Sequence, residues 1–291
     1  MRHSRINDGE LKSTVVSNDV LTPSCQRFEF GENWRKFLIL LSEARIRDAE
    51  LSLASMLGVD DLKGRSFLDV GSGSGLFSLA AARLHAGPIH SFDYDADSVA
   101  CTAAVKEQFL PAKEDWTIER GDITDAAYCR DLGMFDVVYA WGVLHHTGAM
   151  WRAMENTCAR VAPHGVLFLA IYNDAGPRSE IWLPLKRFYN RLPRPFRTPY
   201  ALLVSFPAEV RAIALATRRR GLGDYVRSWN KPKERGMSRW HDLIDWVGGY
   251  PYEFAKPEEV FRFCRDRGFA LTELETKGRS IGCNEFVFRR T

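Results

Sequence analysis

The stretch that decides the fold of this 291-residue chain is Phe67-Leu-Asp-Val-Gly71-Ser-Gly73-Ser-Gly75-Leu76. It joins a short apolar run, typical of a buried strand, to a glycine loop and then to a helical pattern. Glycine lets the backbone turn tightly and approach a ligand, and a helix N-terminus offers unpaired N–H groups to polar atoms. The stretch predicts a strand–loop–helix unit that binds a ligand, with a tight structural turn as the plainer alternative.

The spacing of the loop narrows the choice of ligand. The glycines follow G-x-G-x-G, and Leu76 stands where the dinucleotide fingerprint requires a third glycine, so a nicotinamide cofactor is disfavoured. Asp69 ends the strand before the loop, where a carboxylate can meet a cationic amino group. Asp93 ends the next predicted strand, about twenty residues beyond the glycines, where an acid accepts hydrogen bonds from ribose hydroxyls. Tyr94 follows and is placed to lie against an adenine face.

Strands and helices alternate around this unit. Strands are predicted at Ser66–Val70, Pro88–Phe92, Trp116–Glu119, Phe135–Ala140, Gly165–Tyr172, Phe269–Thr276 and Cys283–Phe288. Helices are predicted at Trp34–Leu57, Leu76–Leu84, Ala96–Phe109, Ala126–Leu132, Ala149–Val161 and Glu258–Arg267. This order predicts an α/β fold, a doubly wound Rossmann-like sheet of seven strands whose last strand is antiparallel.

Composition excludes several classes of protein. With 45% hydrophobic and 26% charged residues, the chain is neither disordered nor collagen-like, and a net charge of +3 does not by itself indicate a nucleic-acid partner. The longest apolar run, Gly165–Tyr172, is too short to span a bilayer. The six cysteines show no C-x-x-C pair and no zinc-ligand spacing, which indicates reduced thiols and a cytoplasmic protein.

Taken in order, four motifs resemble those of class I S-adenosylmethionine-dependent methyltransferases. They are DVGSGSG at 69–75, SFDYD at 91–95, RGDITD at 120–125 and FDVVYAWGVLHH at 135–146. The ordered set covers about residues 60 to 175 and the closing hairpin, and it is more specific than any single motif. The chain is most similar to the methyltransferases of ubiquinone and menaquinone biosynthesis and their small-molecule relatives.

The resemblance implies S-adenosylmethionine as the cofactor and points to the residues that bind it. Asp69 and the glycine loop would face the methionine portion, Asp93 the ribose and Asp122 the adenine amino group. The predicted cofactor set is Asp69, Gly71, Ser72, Gly73, Gly75, Asp93, Tyr94, Asp122, Ile123, Ala140 and Trp141. The alternative to cofactor binding is a purely structural role, in which Asp122 would cap the following turn and Trp141 would pack in the core.

Methyl transfer from a sulfonium is an in-line displacement, so holding the nucleophile against the methyl carbon in a dry site supplies most of the catalysis. A base is needed only if the nucleophile carries a proton. His145 and His146 follow the fourth strand and are the first choice for that base, with helix packing as the alternative. The catechol-methylating branch carries E-x-L-E-H where this chain reads Gly142-Val-Leu-His-His146, without either carboxylate, so no metal site is predicted.

Polar residues at two further strand ends are predicted to contact the substrate. Tyr172 and Asn173 end the fifth strand, and Asn284 and Glu285 begin the last one. Because the last strand is antiparallel, both pairs lie at the edge of the sheet where the ligand crevice forms. The alternative for Asn284 and Glu285 is that they satisfy neighbouring buried polar groups.

Residues 175–240 carry 15 Lys and Arg against four acids, a formal +11 that leaves −8 for the rest of the chain. Their aromatic content predicts a helical cap over the crevice. The chain thus divides into a tail (1–32), a core with a leading helix (33–174), a basic substrate cap (175–255) and a helix with a hairpin that completes the core (256–291). The basic residues of the cap are suited to binding an anionic substrate, acidic lipids or RNA, and the alternative is a solvated basic face without a ligand. The amphipathic stretch Tyr200–Ala216 fits contact with a membrane surface as well as it fits docking on the core.

These observations predict an S-adenosylmethionine-dependent methyltransferase acting on an oxygen or nitrogen of a small, anionic or lipophilic metabolite, with peripheral membrane contact through the cap. An RNA or protein methyltransferase that docks through the basic insertion is one alternative. Nucleic acid is the less favoured partner, because the Asn/Asp-Pro-Pro-aromatic pattern is missing after the fourth strand. A non-catalytic S-adenosylmethionine-binding protein is the other alternative.

Overall fold

The computed structural model describes residues 28, 31, 34, 41–219 and 239–291. Their strands form one seven-stranded sheet in the order β3-β2-β1-β4-β5-β7-β6. The strands are β1 (Phe67–Val70), β2 (Ile89–Asp93), β3 (Trp116–Arg120), β4 (Phe135–Trp141), β5 (Val161–Tyr172), β6 (Phe269–Glu275) and β7 (Cys283–Arg290). Strands β1 to β5 are parallel, and β7 runs antiparallel to both β5 and β6. The predicted Rossmann-like sheet with its antiparallel last strand is confirmed.

Helices flank the sheet and fill the insertion after β5. They are α1 (Glu43–Leu57), α2 (Leu76–Arg83), α3 (Ala96–Phe109), α4 (Ala126–Asp131), α5 (Met150–Cys158), α6 (Pro177–Arg191), α7 (Arg194–Arg219), α8 (Arg239–Gly248) and α9 (Pro257–Arg265), with a 3₁₀ turn at Leu144–His146. Trp34 is helical, as predicted, and residues 35–40 lie outside the described residues. The predicted leading helix does not run unbroken to Leu57, because the backbone of Ser42 is extended (φ −133°, ψ 158°), and α1 begins at Glu43. Gly58 ends it in the left-handed region (φ 63°), as predicted.

Two apolar layers cover the two faces of the sheet. Along β4, Val137 and Tyr139 pack with α1 and α2, whereas Val138 and Ala140 pack on the opposite side with α5 and α9. Successive side chains of a strand point to opposite faces, and a parallel sheet covered on both faces buries them all. Asp69 on β1 therefore enters the core as a buried carboxylate, at the end of the strand where the glycine loop begins.

The insertion contains helices α6, α7 and α8, which pack on one another around a small apolar cluster of Tyr189, Ala201 and Val247. Residues 220–238, with Arg220, lie outside the described residues, as do residues 1–27 of the predicted tail. Among the described helices, none is long and apolar enough to cross a membrane.

Candidate active site

A pocket of about 960 Å³ opens at the carboxyl ends of the parallel strands, where ligands bind in open α/β sheets. Its wall holds most of the predicted site residues: Asp69, Gly71, Ser72, Gly73, Asp93, Tyr94, Asp122, Ile123, Trp141, His145, His146, Tyr172 and Glu285. Four predicted residues do not form part of this wall: Gly75, Ala140, Asn173 and Asn284. One end of the site is therefore built by β1, β2 and β3, and the other by β4, β5 and β7.

The glycine loop has its shape because two close approaches leave no room for a side chain. Gly71 has φ +73°, and a Cβ there would lie 2.3 Å from Cγ2 of Val143. Gly75 has φ +76°, and its Cβ would lie 2.8 Å from the Cα of Thr102 on α3. Gly75 thus lets two helices pack, whereas Gly71 brings the loop against the segment after β4. The Gly71 amide donates to the carbonyl of Phe92 at 2.9 Å, which ties the loop to the end of β2.

A chain of buried hydrogen bonds orients Asp69. The indole N–H of Trp116 donates to Ser91 Oγ (2.9 Å), Ser91 and Ser78 share a hydrogen bond (2.7 Å), and Ser78 Oγ donates to Asp69 Oδ2 (2.5 Å). Because an indole nitrogen only donates and the Ser78 proton goes to the carboxylate, Ser91 must donate to Ser78. Burial raises the pKa of Asp69 to about 7, the Ser78 hydrogen bond opposes this, and the charge of Asp93 adds to it.

Asp93 is the last residue of β2, and Asp122 lies in the segment after β3. Asp93 accepts the Gly73 amide on Oδ2 and the Asp95 amide on Oδ1, both at 2.9 Å, and burial raises its pKa to about 6. Asp122 accepts hydrogen bonds from the amide (2.8 Å) and the hydroxyl (2.7 Å) of Thr124, and so caps the following turn, which was the alternative to cofactor binding. It also lines the pocket. Asp93 therefore holds the glycine loop in place as well as facing the cavity.

Tyr94 is half-exposed beside these acids. The guanidinium of Arg120 lies 5.5 Å from the centre of its ring and donates to its carbonyl at 3.0 Å. This contact restrains a ring on the pocket wall, and Arg120 itself was not predicted.

The two predicted catalytic histidines are adjacent in the wall and are neutral at physiological pH. His145 is fully buried with its ring centre 3.8 Å from that of Tyr172, and neither of its nitrogens has a well-aligned hydrogen-bond partner among the described residues. Burial, then the charges of His146 and Lys186, lower its pKa well below the ordinary range. His146 places Nδ1 2.6 Å from the Pro251 carbonyl, and burial lowers its pKa to about 3. Such imidazoles favour accepting a hydrogen bond over abstracting a proton.

Asn173 and Asn284 form a buried network behind the wall. Asn284 Nδ2 donates to Asn173 Oδ1 (3.0 Å), and its Oδ1 accepts the Lys277 amide (2.9 Å). Asn173 Nδ2 donates to the carbonyls of Gly278 (2.9 Å) and Ser280 (2.7 Å). The geometry places both asparagines as supports of the loop between β6 and β7, which agrees with the structural alternative for Asn284.

Glu285 lies in the wall, and its Oε1 accepts the indole N–H of Trp141 at 2.8 Å. This bond crosses from β7 to the end of β4 and holds the Trp141 side chain in one orientation. Trp141 is thereby a restrained wall of the cavity rather than core packing alone.

Sequence patterns missed Lys186 on α6. It is fully buried, donates to the Trp246 carbonyl, and lies 4.4 Å from the Trp246 ring and 4.8 Å from the Tyr252 ring. Burial lowers its pKa to about 7, while Asp245 opposes the shift. A lysine within a basic segment carries no local signal of burial. Lys186 does not itself line the pocket. Wall residues that were not predicted include Phe28, Trp34, Val143, Asp245, Trp246, Tyr250 and Lys277.

The wall is acidic at one end and aromatic at the other. Its acids are Asp69, Asp93, Asp95, Asp122, Asp245 and Glu285, whereas its Lys and Arg are Arg120 and Lys277. This excess of carboxylates suits a ligand that carries positive charge. Among the described residues, no group of three or more His, Cys, Asp or Glu is arranged to hold a metal ion.

Comparison with known proteins identifies the family of the chain. The sequence profile of a family described as "Methyltransferase domain" matches residues 41–204, more than half of the chain. The chain therefore belongs to this methyltransferase family, and it is an enzyme of the class I type that its fold defines. No curated protein matches the sequence.

Solved structures with a similar fold include magnesium protoporphyrin IX methyltransferase (ChlM) from Synechocystis PCC 6803 with bound SAH. It is 13% identical, the match covers 89% of this chain and 94% of that chain, and the TM-score is 0.51. The N-methyltransferase NodS from Bradyrhizobium japonicum WM9, in complex with S-adenosyl-L-homocysteine, is 13% identical over 90% of this chain and 98% of that chain, with a TM-score of 0.47. Because these identities are low, the likeness concerns the fold alone.

Proposed function

We propose that this pocket transfers a methyl group from S-adenosylmethionine to an oxygen or nitrogen of a small lipophilic molecule. The observation that carries the proposal is one continuous cavity of about 960 Å³ with an acidic end and an aromatic end. Its volume lies at the upper end of the roughly 300–1,000 Å³ common for ligand pockets, which leaves room for a cofactor and an acceptor together.

The acidic end fits S-adenosylmethionine by charge and by hydrogen bonding. Asp69 and Asp93 are buried carboxylates with raised pKa values, and none of the groups that shift them is a cation. A ligand with a sulfonium, an ammonium, ribose hydroxyls and an adenine amino group offers these acids positive charge, and its donors add to the Ser78 hydroxyl and the backbone amides whose hydrogen bonds they accept. Asp69 would hold the ammonium, Asp93 the hydroxyls and Asp122 the amino group, with Tyr94 against the base. When bound, this cofactor supplies an electrophilic methyl carbon.

The chain's own residues orient the acceptor and exclude water. Trp141, held by Glu285, and Tyr172, whose ring centre lies 3.8 Å from that of His145, give the acceptor end rigid apolar surfaces. The contact of His146 Nδ1 with the Pro251 carbonyl places its proton on Nδ1, so Nε2 is the accepting nitrogen. In this proposal Nε2 accepts a hydrogen bond from the acceptor O–H or N–H and directs a lone pair to the methyl carbon. The acceptor proton, made strongly acidic as the new bond to carbon forms, leaves along this hydrogen bond and is released to water. Most of the rate enhancement comes from this positioning.

The acceptor end favours a lipophilic molecule over an anionic one. Its wall contains the rings of Tyr172, Trp246 and Tyr250, and its charged side chains are two acids and one cation: Asp245, Glu285 and Lys277. A lipophilic acceptor also agrees with the resemblance to the methyltransferases of ubiquinone and menaquinone biosynthesis.

The proposed organisation keeps the four predicted segments. Residues 33–174 and 256–291 form the core and 175–255 form the substrate cap. Of the predicted tail at 1–32, the described residue Phe28 lines the pocket. Three described cysteines, Cys129, Cys158 and Cys264, are buried free thiols, which supports a reducing, cytoplasmic environment.

The test is incubation of the purified protein with methyl-labelled S-adenosylmethionine and a cell extract, followed by separation into small molecules, lipids, protein and nucleic acid. Label is expected in the small-molecule or lipid fraction, and Asp93→Asn should abolish most of it. Glu107→Gln, an exposed carboxylate change on α3, is the matched control and should label as the wild type does. Label in RNA or protein would overturn the proposed acceptor class and support the macromolecular alternative.

A further inference from the structure

Exposed apolar side chains are concentrated on two helices of the cap. Of thirteen large hydrophobic residues that are exposed among the described residues, eight belong to α6 or α7. The largest exposures on α7 are those of Leu203 (71%) and Phe206 (65%). Monomeric proteins rarely leave such contiguous surfaces in water without a partner.

Five of the six exposed apolar residues of α7 form one stripe, which we call the α7 face. It consists of Phe196, Leu203, Phe206, Val210 and Ile213, whose intervals of three, four and seven residues keep them on one side of a helix. Over these 17 steps the stripe runs for about 26 Å. The opposite side of α7 packs inward, where Ala201 and Ser205 are buried.

The neighbouring helix extends this surface. Ile181 and Phe188 are exposed on α6, seven residues apart and therefore on one side of it. Phe188 contacts Tyr200 of α7 with ring centres 5.2 Å apart, and the Tyr200 hydroxyl donates to the Leu185 carbonyl at 3.2 Å. The two helices thus present a joined apolar surface.

Positive charge accompanies the apolar surface and indicates the occupant. Apart from the buried Lys186, helices α6 and α7 carry eight Arg against two Glu, a formal +6. A second copy of the chain would bring the same positive charge against it, which opposes self-association. An anionic bilayer offers apolar depth and negative headgroups together, and amphipathic basic helices bind there by both effects.

We propose that α6 and α7 dock the enzyme on the surface of an anionic lipid bilayer, with the α7 face inserted at the boundary between headgroups and acyl chains. Apolar burial and arginine attraction act together, so binding requires both. The proposal does not depend on the identity of the methyl acceptor, and a failure of either leaves the other standing.

The experiment is flotation of the full-length chain with vesicles of phosphatidylcholine alone and of phosphatidylcholine with phosphatidylserine. The wild type is expected to partition at least about tenfold better onto the anionic vesicles, and less so as salt is raised. Leu203→Ser with Phe206→Ser should weaken binding by about tenfold or more. Met134→Ser with Leu274→Ser is the matched control, because these side chains are 51% and 45% exposed away from α6 and α7, and it should bind as the wild type does.

Arg211→Glu, an exposed change on α7, tests the charge separately and should weaken binding to the anionic vesicles alone. Unchanged S-adenosylmethionine affinity and thermal midpoint would show that each variant is folded. No binding by the wild type, or equal binding by the α7-face variant, would overturn the proposal. A wild-type dimer in sedimentation that Leu203→Ser with Phe206→Ser disperses would also overturn it, in favour of an interface between copies.

Discussion

Asp69→Asn separates what a buried carboxylate does for ligand binding from what it does for stability. Asp69 is 2% exposed, and its pKa is raised from 3.8 to about 7 because burial disfavours the charged form. The folded chain therefore holds this proton more tightly than the unfolded chain. The stability that follows is fully present below about pH 4 and is lost as the pH rises through 7. A difference of about 3 pKa units corresponds to about 4 kcal/mol by pH 8.

Asparagine has nearly the same shape, carries no charge and can still accept the Ser78 hydroxyl. We therefore expect the ligand-free variant to gain up to about 4 kcal/mol of unfolding free energy over the wild type at pH 8, and much less at pH 5. The affinity of the variant for S-adenosylmethionine should be lower than that of the wild type. Losing a charged hydrogen-bond partner costs about 1.5–3 kcal/mol, which weakens binding roughly 10- to 150-fold.

The assays are urea unfolding at about pH 5 and pH 8, and calorimetric titration with S-adenosylmethionine at about pH 8. Glu107→Gln, on the exposed side of α3, is the control for removing a carboxylate and should change neither quantity. Equal stability differences at the two pH values would refute the burial argument. Unchanged cofactor affinity would refute the binding role, and a loss of both stability and affinity would show that Asp69 mainly anchors the hydrogen-bond chain to Trp116.

Asp93→Asn should weaken S-adenosylmethionine binding by about 1–3 kcal/mol in the same titration, and unchanged affinity would remove this residue from the cofactor site. Because the pKa of Asp93 is about 6, wild-type affinity should fall as the pH drops below 6; a constant Kd from about pH 5 to 8 would contradict this. His146→Gln should slow methyl transfer without altering the pH–rate profile between about pH 6 and 9, since its pKa is about 3; loss of an ionisation near 6.5 in the variant would instead make His146 a base. The Lys186 pKa of about 7, lowered from 10.5, means that wild-type stability falls as the pH drops from 10.5 to 7. The gain in unfolding free energy of Lys186→Met over the wild type, measured by urea unfolding, should therefore be about 4 kcal/mol larger at about pH 6 than at about pH 10, less whatever the lost cation–π contacts contributed. A difference that does not depend on pH would show that burial does not penalise the charged amine.

Local patterns were sufficient to predict the sheet and most of the residues that line one end of the pocket. The apolar run at 67–70, the glycine loop and the strand-end acids Asp69 and Asp93 all follow from residues within about one strand–helix unit of each other. Strand ends could be ordered because parallel β–α units place their carboxyl ends at one edge. For the same reason the chain position of Glu285, at the start of an antiparallel last strand, was enough to bring it to the pocket.

The acceptor end and the ionisation states depend on contacts between distant parts of the chain. The bond from Trp141 to Glu285 spans 144 positions, and the one from Asn284 to Asn173 spans 111. Packing of α6 against α8 buries Lys186, and the charge of Lys186 adds to burial in lowering the pKa values of His145 and His146. Periodicity and spacing report which face of an element is apolar, but burial and pairing of a polar group depend on what the rest of the chain packs against it.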